Sequence, residues 1–221
     1  MKFKTLLPFL TLLLACPLAS SAHVIQNDLS SLSRTDVALT YLGQGFTHIL
    51  PLGLDHILFV LCIFLLNPNL RSVIWQATAF TIAHSITLGL AMYGWITPPT
   101  QIVEPVIALS IMYVALENVL TDKLKPSRVA VVFLFGLIHG MGFASALTSL
   151  GLPRQEFATA LITFNVGVEL GQLSVILGAW LLIGKWFAAK NWYRLRIVNP
   201  LSILIAIVAC YWTIERAFFT A

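Results

Sequence analysis

Charge is what this sequence has least of. Only 10% of its 221 residues are Asp, Glu, Lys or Arg, against about a quarter in soluble globular domains, and 58% are hydrophobic. That excludes an ordinary soluble domain and leaves an integral membrane protein, with no length for a second, soluble unit. The three cysteines, Cys16, Cys62 and Cys210, show no CxxC spacing, so neither a disulfide framework nor a thiolate metal site is implied. There is no HExxH, the usual helical zinc-hydrolase spacing, and no ATP-binding motif, so any transport must draw on the membrane potential, a proton gradient or a partner. The formal net charge of +4 sits in loops between apolar runs. It is a signal of membrane topology rather than of nucleic-acid binding.

Met1 to Ala22 reads as a secretory leader, with Lys2 and Lys4 as its basic start, Leu6 to Leu14 as a short apolar stretch and Ser20-Ser21-Ala22 as the cleavage site. Leu13-Leu14-Ala15-Cys16 resembles a lipobox, which makes a lipoprotein leader the alternative; a retained anchor is short for a span. Cleavage would leave His23 as the new N-terminus, where amine and imidazole chelate a metal, or simply begin a polar tail. Residues 23–45 are then an external segment, with a surface-lying helix expected over Thr35 to Gln44, capped by Ser33 or Thr35.

Residues 46–221 are expected to form an all-α, polytopic bundle of six membrane-spanning helices. The spans run about Phe46 to Leu66, Val73 to Trp95, Ile102 to Leu120, Val129 to Leu150, Phe157 to Trp186 and Ile197 to Phe219. Each is long enough for roughly 30 Å of hydrocarbon, and short loops make neighbours antiparallel. With the leader removed, Arg71, Lys123, Lys125, Arg128, Lys185, Lys190, Arg194 and Arg196 lie inside, and only Arg34, Arg154 and Arg216 outside. That bias puts both mature termini on the external face of the inner membrane.

Against this apolar background the polar residues stand out, because ionisable groups within a span are costly unless they serve a function. The first span carries His48, Asp55 and His56. Read as one helix, it puts His48 and Asp55 two turns apart on one stripe. Later spans add His84 with Ser85, Glu104 and Glu117, His139, and the trio Asn165, Glu169 and Gln172. At 1.5 Å per residue, Asp55, His56, His84, His139 and Glu169 share a depth near the midplane. His48, Glu104 and Asn165 fall nearer the outer mouth. Glu117, near the inner end, either pairs with Lys123 or reaches water. Imidazoles and carboxylates at one level describe a nitrogen/oxygen site for Ni²⁺, Zn²⁺, Co²⁺ or Fe²⁺, and a poor one for Cu(I). Singly, each residue also reads as an interhelical hydrogen-bond partner, and Gly136-xxx-Gly140 as a close-packing motif.

Four segments together resemble the HupE/UreJ family of hydrogenase and urease accessory membrane proteins. They are Gly53-Leu54-Asp55-His56-Ile57-Leu58-Phe59, the run from Phe80 to Leu88 around His84, Glu104-Pro105 with Glu117, and the run from Phe135 to Ala144 around His139. The family signature, a His followed by an Asp-His pair, is matched by His48, Asp55 and His56. Six residues intervene here where the family usually has five, as in a divergent branch. The resemblance implies a nickel (or cobalt) permease with a cleavable leader and about six spans, working with hydrogenase or urease maturation proteins.

The expectation is therefore an inner-membrane permease for a divalent metal, nickel first. His48 and Glu104 gather the ion, and Asp55, His56, His84, His139 and Glu169 hold it, with Asn165, Gln172, Glu117 and Ser85 as supporting polar groups. Binding needs neutral imidazoles and ionised carboxylates, so uptake should fall at acid pH. The alternatives are an intramembrane metal-dependent hydrolase and a non-transporting accessory subunit. The lipid bilayer is a partner in every case; the oligomeric state is open.

Overall fold

A computed structural model describes residues 33–97, 99–149 and 156–219, with the side chains of 144–149 set aside. The expected leader, the lipobox cysteine and His23 lie outside the described residues. Everything described is helix, turn or loop, without a strand. The helices are α1 (Arg34–Ile49), α2 (Leu54–Leu66), α3 (Leu70–Met92), α4 (Thr100–Leu120), α5 (Arg128–Ser149), α6 (Phe157–Ala179) and α7 (Asn199–Phe218). A π-helical turn, Trp180–Gly184, carries α6 on to Phe187, and another, Arg194–Val198, leads into α7.

Four continuous helical stretches are long and apolar enough to cross a membrane: Leu70–Met92, Thr100–Leu120, Phe157–Phe187 and Arg194–Phe218. They match the second, third, fifth and sixth expected spans to within three residues at each end. The first expected span is not one helix. It breaks after Ile49, and α1 and α2 meet at 67°. The break has a local cause: Pro51 has no N–H to give a helix and disfavours helical backbone at the residue before it. Leu50 accordingly is extended, at φ −119° and ψ 115°. His48 and Asp55 therefore sit on different helices rather than on one stripe. Alone, α2 rises about 20 Å, short of the hydrocarbon thickness; with α1 it counts as a fifth candidate crossing. α5 is 22 residues long, and its described side chains, Arg128–Phe143, form an apolar helix.

The segment before the break packs one face onto the bundle and leaves the other exposed. α1 starts at a Ser33 cap, whose hydroxyl accepts from the Asp36 N–H at 3.3 Å. It then packs lengthwise and parallel along α6, burying Val37, Tyr41, Gly45 and Ile49. Arg34 meets Thr159 at one end, and Ile49 meets Gly171 at the other. Glycine makes the approach feasible. A Cβ on Gly45 would fall on the Phe164 carbonyl, and one on Gly167 on the Leu42 carbonyl. The boundary expected at residues 45/46 thus falls inside a helix. α5 packs on α3 by the same device, with Gly136 against Phe80 and Gly140 against the His84 carbonyl.

The short α2 is anchored at its C-terminal end, where helix carbonyls lack intrahelical partners. Asn118 Nδ2 donates to the Cys62 carbonyl at 2.8 Å and the Tyr193 hydroxyl to that of Leu65 at 3.3 Å. Buried Arg128 donates to Glu117 at 2.8 Å, to Asn118 Oδ1 at 3.0 Å and to the Cys62 carbonyl at 3.4 Å. Glu117 thus pairs with Arg128 rather than with Lys123, because the start of α5 is tucked against the end of α4. It belongs to this anchor, not to a metal site.

Candidate metal centre

Two apolar clusters fill the interior, one around Phe59, Phe64, Phe80 and Ile111, the other around Val37, Tyr41, Ile49 and Phe164. Four of the chain's five histidines meet where they adjoin. His48 comes from the last turn of α1, His56 from the first turn of α2, His84 from the middle of α3 and His139 from the middle of α5. The helix break makes the gathering possible, since it folds the start of α2 back towards the end of α1. Gly53 sits in that bend, and a Cβ there would strike the His48 carbonyl.

Ligand nitrogens of His48, His56 and His84 all lie within 4.8 Å of one another. His56 is central: its ring centroid is 4.8 Å from that of His48, 5.8 Å from His84 and 5.1 Å from His139. His56, His84 and His139 are nearly inaccessible, with 6%, 0% and 1% of their surface exposed, and His48 is half-buried. Phe59, Phe80, Phe143 and Phe164 collar them, Phe143 lying 3.8 Å from His48 between ring centres.

Each ring keeps one buried nitrogen without a partner: Nε2 of His48, His56 and His84, and Nδ1 of His139. For two of them the neighbours decide where the proton sits. Asn165 donates through Nδ2 to the Leu161 carbonyl at 2.8 Å, so its Oδ1 accepts from His84 Nδ1–H at 3.3 Å. Ser110 spends its one proton on the Ile107 carbonyl at 2.7 Å, so its oxygen accepts from His139 Nε2–H at 3.0 Å. In both rings the other nitrogen is left with a bare lone pair. Outer groups that fix tautomer and orientation in this way are the usual companions of metal-binding histidines. A buried polar atom left unpaired costs about 1–3 kcal/mol, and four such nitrogens close together form a donor set that fits a cation.

The carboxylates are placed elsewhere. Both oxygens of Asp55 accept from Arg216 Nη2 at 3.1 Å, and Glu104 pairs with the same guanidinium at 3.3 Å. The three charges tie together the starts of α2 and α4 and the end of α7. Glu169 accepts from the Thr78 hydroxyl at 2.6 Å and lines a groove between α3 and α6 with Ser85 and Asn165. Gln172 meets Thr81 in the same interface at 3.4 Å. Among the described residues, the group close enough to hold one ion is thus the histidines His48, His56 and His84, without a carboxylate. Sequence reasoning missed Ser110 and Arg216. A lone serine in an apolar helix reads as bonding its own preceding turn, and a span-end arginine reads as a topology charge.

The family model for HupE / UreJ protein matches residues 22–216. The chain belongs to the HupE/UreJ family. Membership and the apolar helices make it a multi-pass membrane protein, of nickel- or cobalt-related accessory or permease-like character. This HupE/UreJ protein is also similar to two curated proteins named undecaprenyl-diphosphatase. One, from Lacticaseibacillus casei (strain BL23), is 22% identical over 90% of this chain and 83% of its own length. The other, from Lacticaseibacillus paracasei (strain ATCC 334), is 21% identical over the same shares. No solved structure matches.

The outer hydrogen bonds of this HupE/UreJ protein lead to a test. Asn165→Leu and Ser110→Ala each release one ring to the wrong tautomer. Nickel affinity, read by equilibrium dialysis, is expected to fall about 10–100-fold in each, with the helical circular dichroism unchanged. Wild-type affinity in both variants would dismiss the tautomer argument.

Proposed function

We propose that the protein is an inner-membrane permease for a divalent transition metal, nickel in the first place, and that the ion passes through the imidazoles of His48, His56, His84 and His139. The observation that carries this reading is the convergence of buried ring nitrogens without a protein hydrogen-bond partner, with ligand atoms of His48, His56 and His84 within 4.8 Å of one another and His139 in ring contact with His56. Neutral nitrogen donors favour Ni²⁺, Co²⁺ and Zn²⁺ over Mg²⁺ or Ca²⁺. A site with no negative charge of its own holds a dication without neutralising it. That suits passage, since a conducting site must release what it binds. On this reading the bent pair α1–α2 and the helix α5 are crossings too, making six, with both termini outside. Asp55 and Glu104, two carboxylates on one guanidinium, then leave a net negative mouth that attracts cations.

The undecaprenyl-diphosphatase likeness raises the hydrolase alternative. A metal-dependent hydrolase commonly sets a carboxylate base beside the metal, but the group that could hold an ion here is histidine alone, and Asp55, Glu104 and Glu169 are bonded to Arg216 and Thr78. The permease reading therefore has the better support. Purified protein in liposomes is expected to accumulate Ni²⁺ faster than empty liposomes, driven by an inside-negative potential. No uptake, together with phosphate release from undecaprenyl diphosphate, would replace the permease with the enzyme.

A further inference from the structure

Arg128 and Arg216 both bind carboxylates within the bundle, and they do so differently. Arg128 is 1% exposed and meets Glu117 at 2.8 Å, the length of a firm charge-assisted bond. Arg216 is 19% exposed. Its Nη2 is shared by both Asp55 oxygens at 3.1 Å, and its Nη1 reaches Glu104 at 3.3 Å. These contacts are longer than the about 2.7–2.9 Å of a strong pair, and neither is the parallel two-nitrogen fork that makes arginine a tight partner. Partly exposed pairs of this kind add little net stability, so the guanidinium can leave at small cost. We propose that Arg216 is a latch: a tethered cation that occupies the outer mouth of the imidazole site and that an incoming dication displaces from Asp55 and Glu104.

The three charges lie next to the imidazoles, towards one end of the bundle. Asp55 directly precedes His56 on α2. On α4, Glu104 stands six residues before Ser110, the residue bonded to His139, so it lies about 9 Å further along that helix. Glu104 Oε1 also reaches α5, 3.6 Å from where a Cβ on Gly142 would be, and Gly142 is three residues beyond His139. Exposure falls in the same direction. The side chain of Glu104 is 41% exposed and that of Asp55 24%, while His56 and His139 are nearly inaccessible. The guanidinium thus stands between the start of α4 and the ring nitrogens.

Charge decides what can displace it. Two carboxylates and one guanidinium leave a single negative charge in excess. A monovalent ion in the guanidinium's place leaves that excess as it was, whereas a dication neutralises the pair. The displaced group also has a second support: its central carbon lies 5.2 Å from the centre of the Trp212 ring, about one turn earlier on α7, and an aromatic face attracts a cation. The latch rests on the permease reading, which makes this end of the bundle the external one.

A closed latch lowers apparent affinity, because only the open fraction of molecules can bind. In the full-length protein in detergent, Arg216→Gln is therefore expected to bind Ni²⁺ about 10-fold more tightly than wild type in equilibrium dialysis. Arg216→Lys keeps the charge and is expected to fall between the two. In an Asp55→Asn background most of the Arg216→Gln gain should vanish, since residues in one ion-pair network are not additive. A brace that only tied the helices together would instead weaken binding when removed. Equal or weaker binding by Arg216→Gln, or a gain undiminished by Asp55→Asn, would overturn the latch. Wild-type uptake into liposomes reports separately on the permease. Uptake alongside an unchanged Arg216→Gln affinity sinks the latch alone, and tighter binding without wild-type uptake sinks the permease alone.

Discussion

Replacing His56 with alanine is expected to remove nickel binding and uptake together. His56 is in ring contact with all three other imidazoles, at 4.8, 5.8 and 5.1 Å. Without it, His48 and His84 remain 6.2 Å apart between ring centres, and His139 loses its imidazole neighbour. Loss of a group supporting a ligand costs about 10–100-fold in affinity, so loss of the central ligand should cost at least about 100-fold. Stability of the metal-free protein should change little. The cavity left by the ring is unfavourable, but a buried nitrogen without a partner disappears with it. Dialysis against Ni²⁺ and liposome uptake measure the first effect, and thermal unfolding the second. A His56→Ala protein that binds nickel like wild type would remove the imidazole cluster from the mechanism.

The largest structural effect is expected at Gly140. A Cβ there would strike the His84 carbonyl and the Thr87 hydroxyl, and Thr87 is itself bonded across the interface to the Leu137 carbonyl at 2.7 Å. Backbone cannot rotate out of the way as a side chain can, so Gly140→Ala forces α3 and α5 apart. Overpacking of this kind typically costs about 1–3 kcal/mol. His139, the neighbouring residue, should withdraw with its helix, taking nickel affinity down too. Gly178→Ala is the control: it also lies within a helix, but a Cβ there meets nothing within 4 Å. A lower unfolding midpoint is expected for Gly140→Ala and an unchanged or slightly higher one for Gly178→Ala. Equal midpoints would mean that contact between these backbones is not what holds the pair.

Both effects trace to residues whose types were visible beforehand, though their neighbours were not. Gly136 and Gly140 at four-residue spacing announce close packing, and α5 does pack closely through them. Gly167 and Gly171 show the same four-residue spacing on α6 and, with Gly45, do the same for α1, but the spacing does not say which helix is the partner. Asp55 and Glu104 were legible as membrane carboxylates. Their shared partner, Arg216, lies 161 residues from Asp55 in the chain, and no local pattern links them. Pro51 was in plain view within the first expected span, yet apolar length outweighed it, and so one bent pair was read as a straight helix.

By itself the sequence determined an all-helical membrane protein, the ends of its longer helices, the residue types of a transition-metal site and the family. The helical membrane class and the helix ends follow from composition and from a period of 3.6 residues, which are local properties of a chain in lipid; the family rests on four motifs occurring in order. Only the tertiary structure decided that the imidazoles gather while the carboxylates go to Arg216 and Thr78. A helix period says which face a side chain occupies, but not which helix it faces. That choice was made by a break at Pro51 and by glycines that let particular backbones touch.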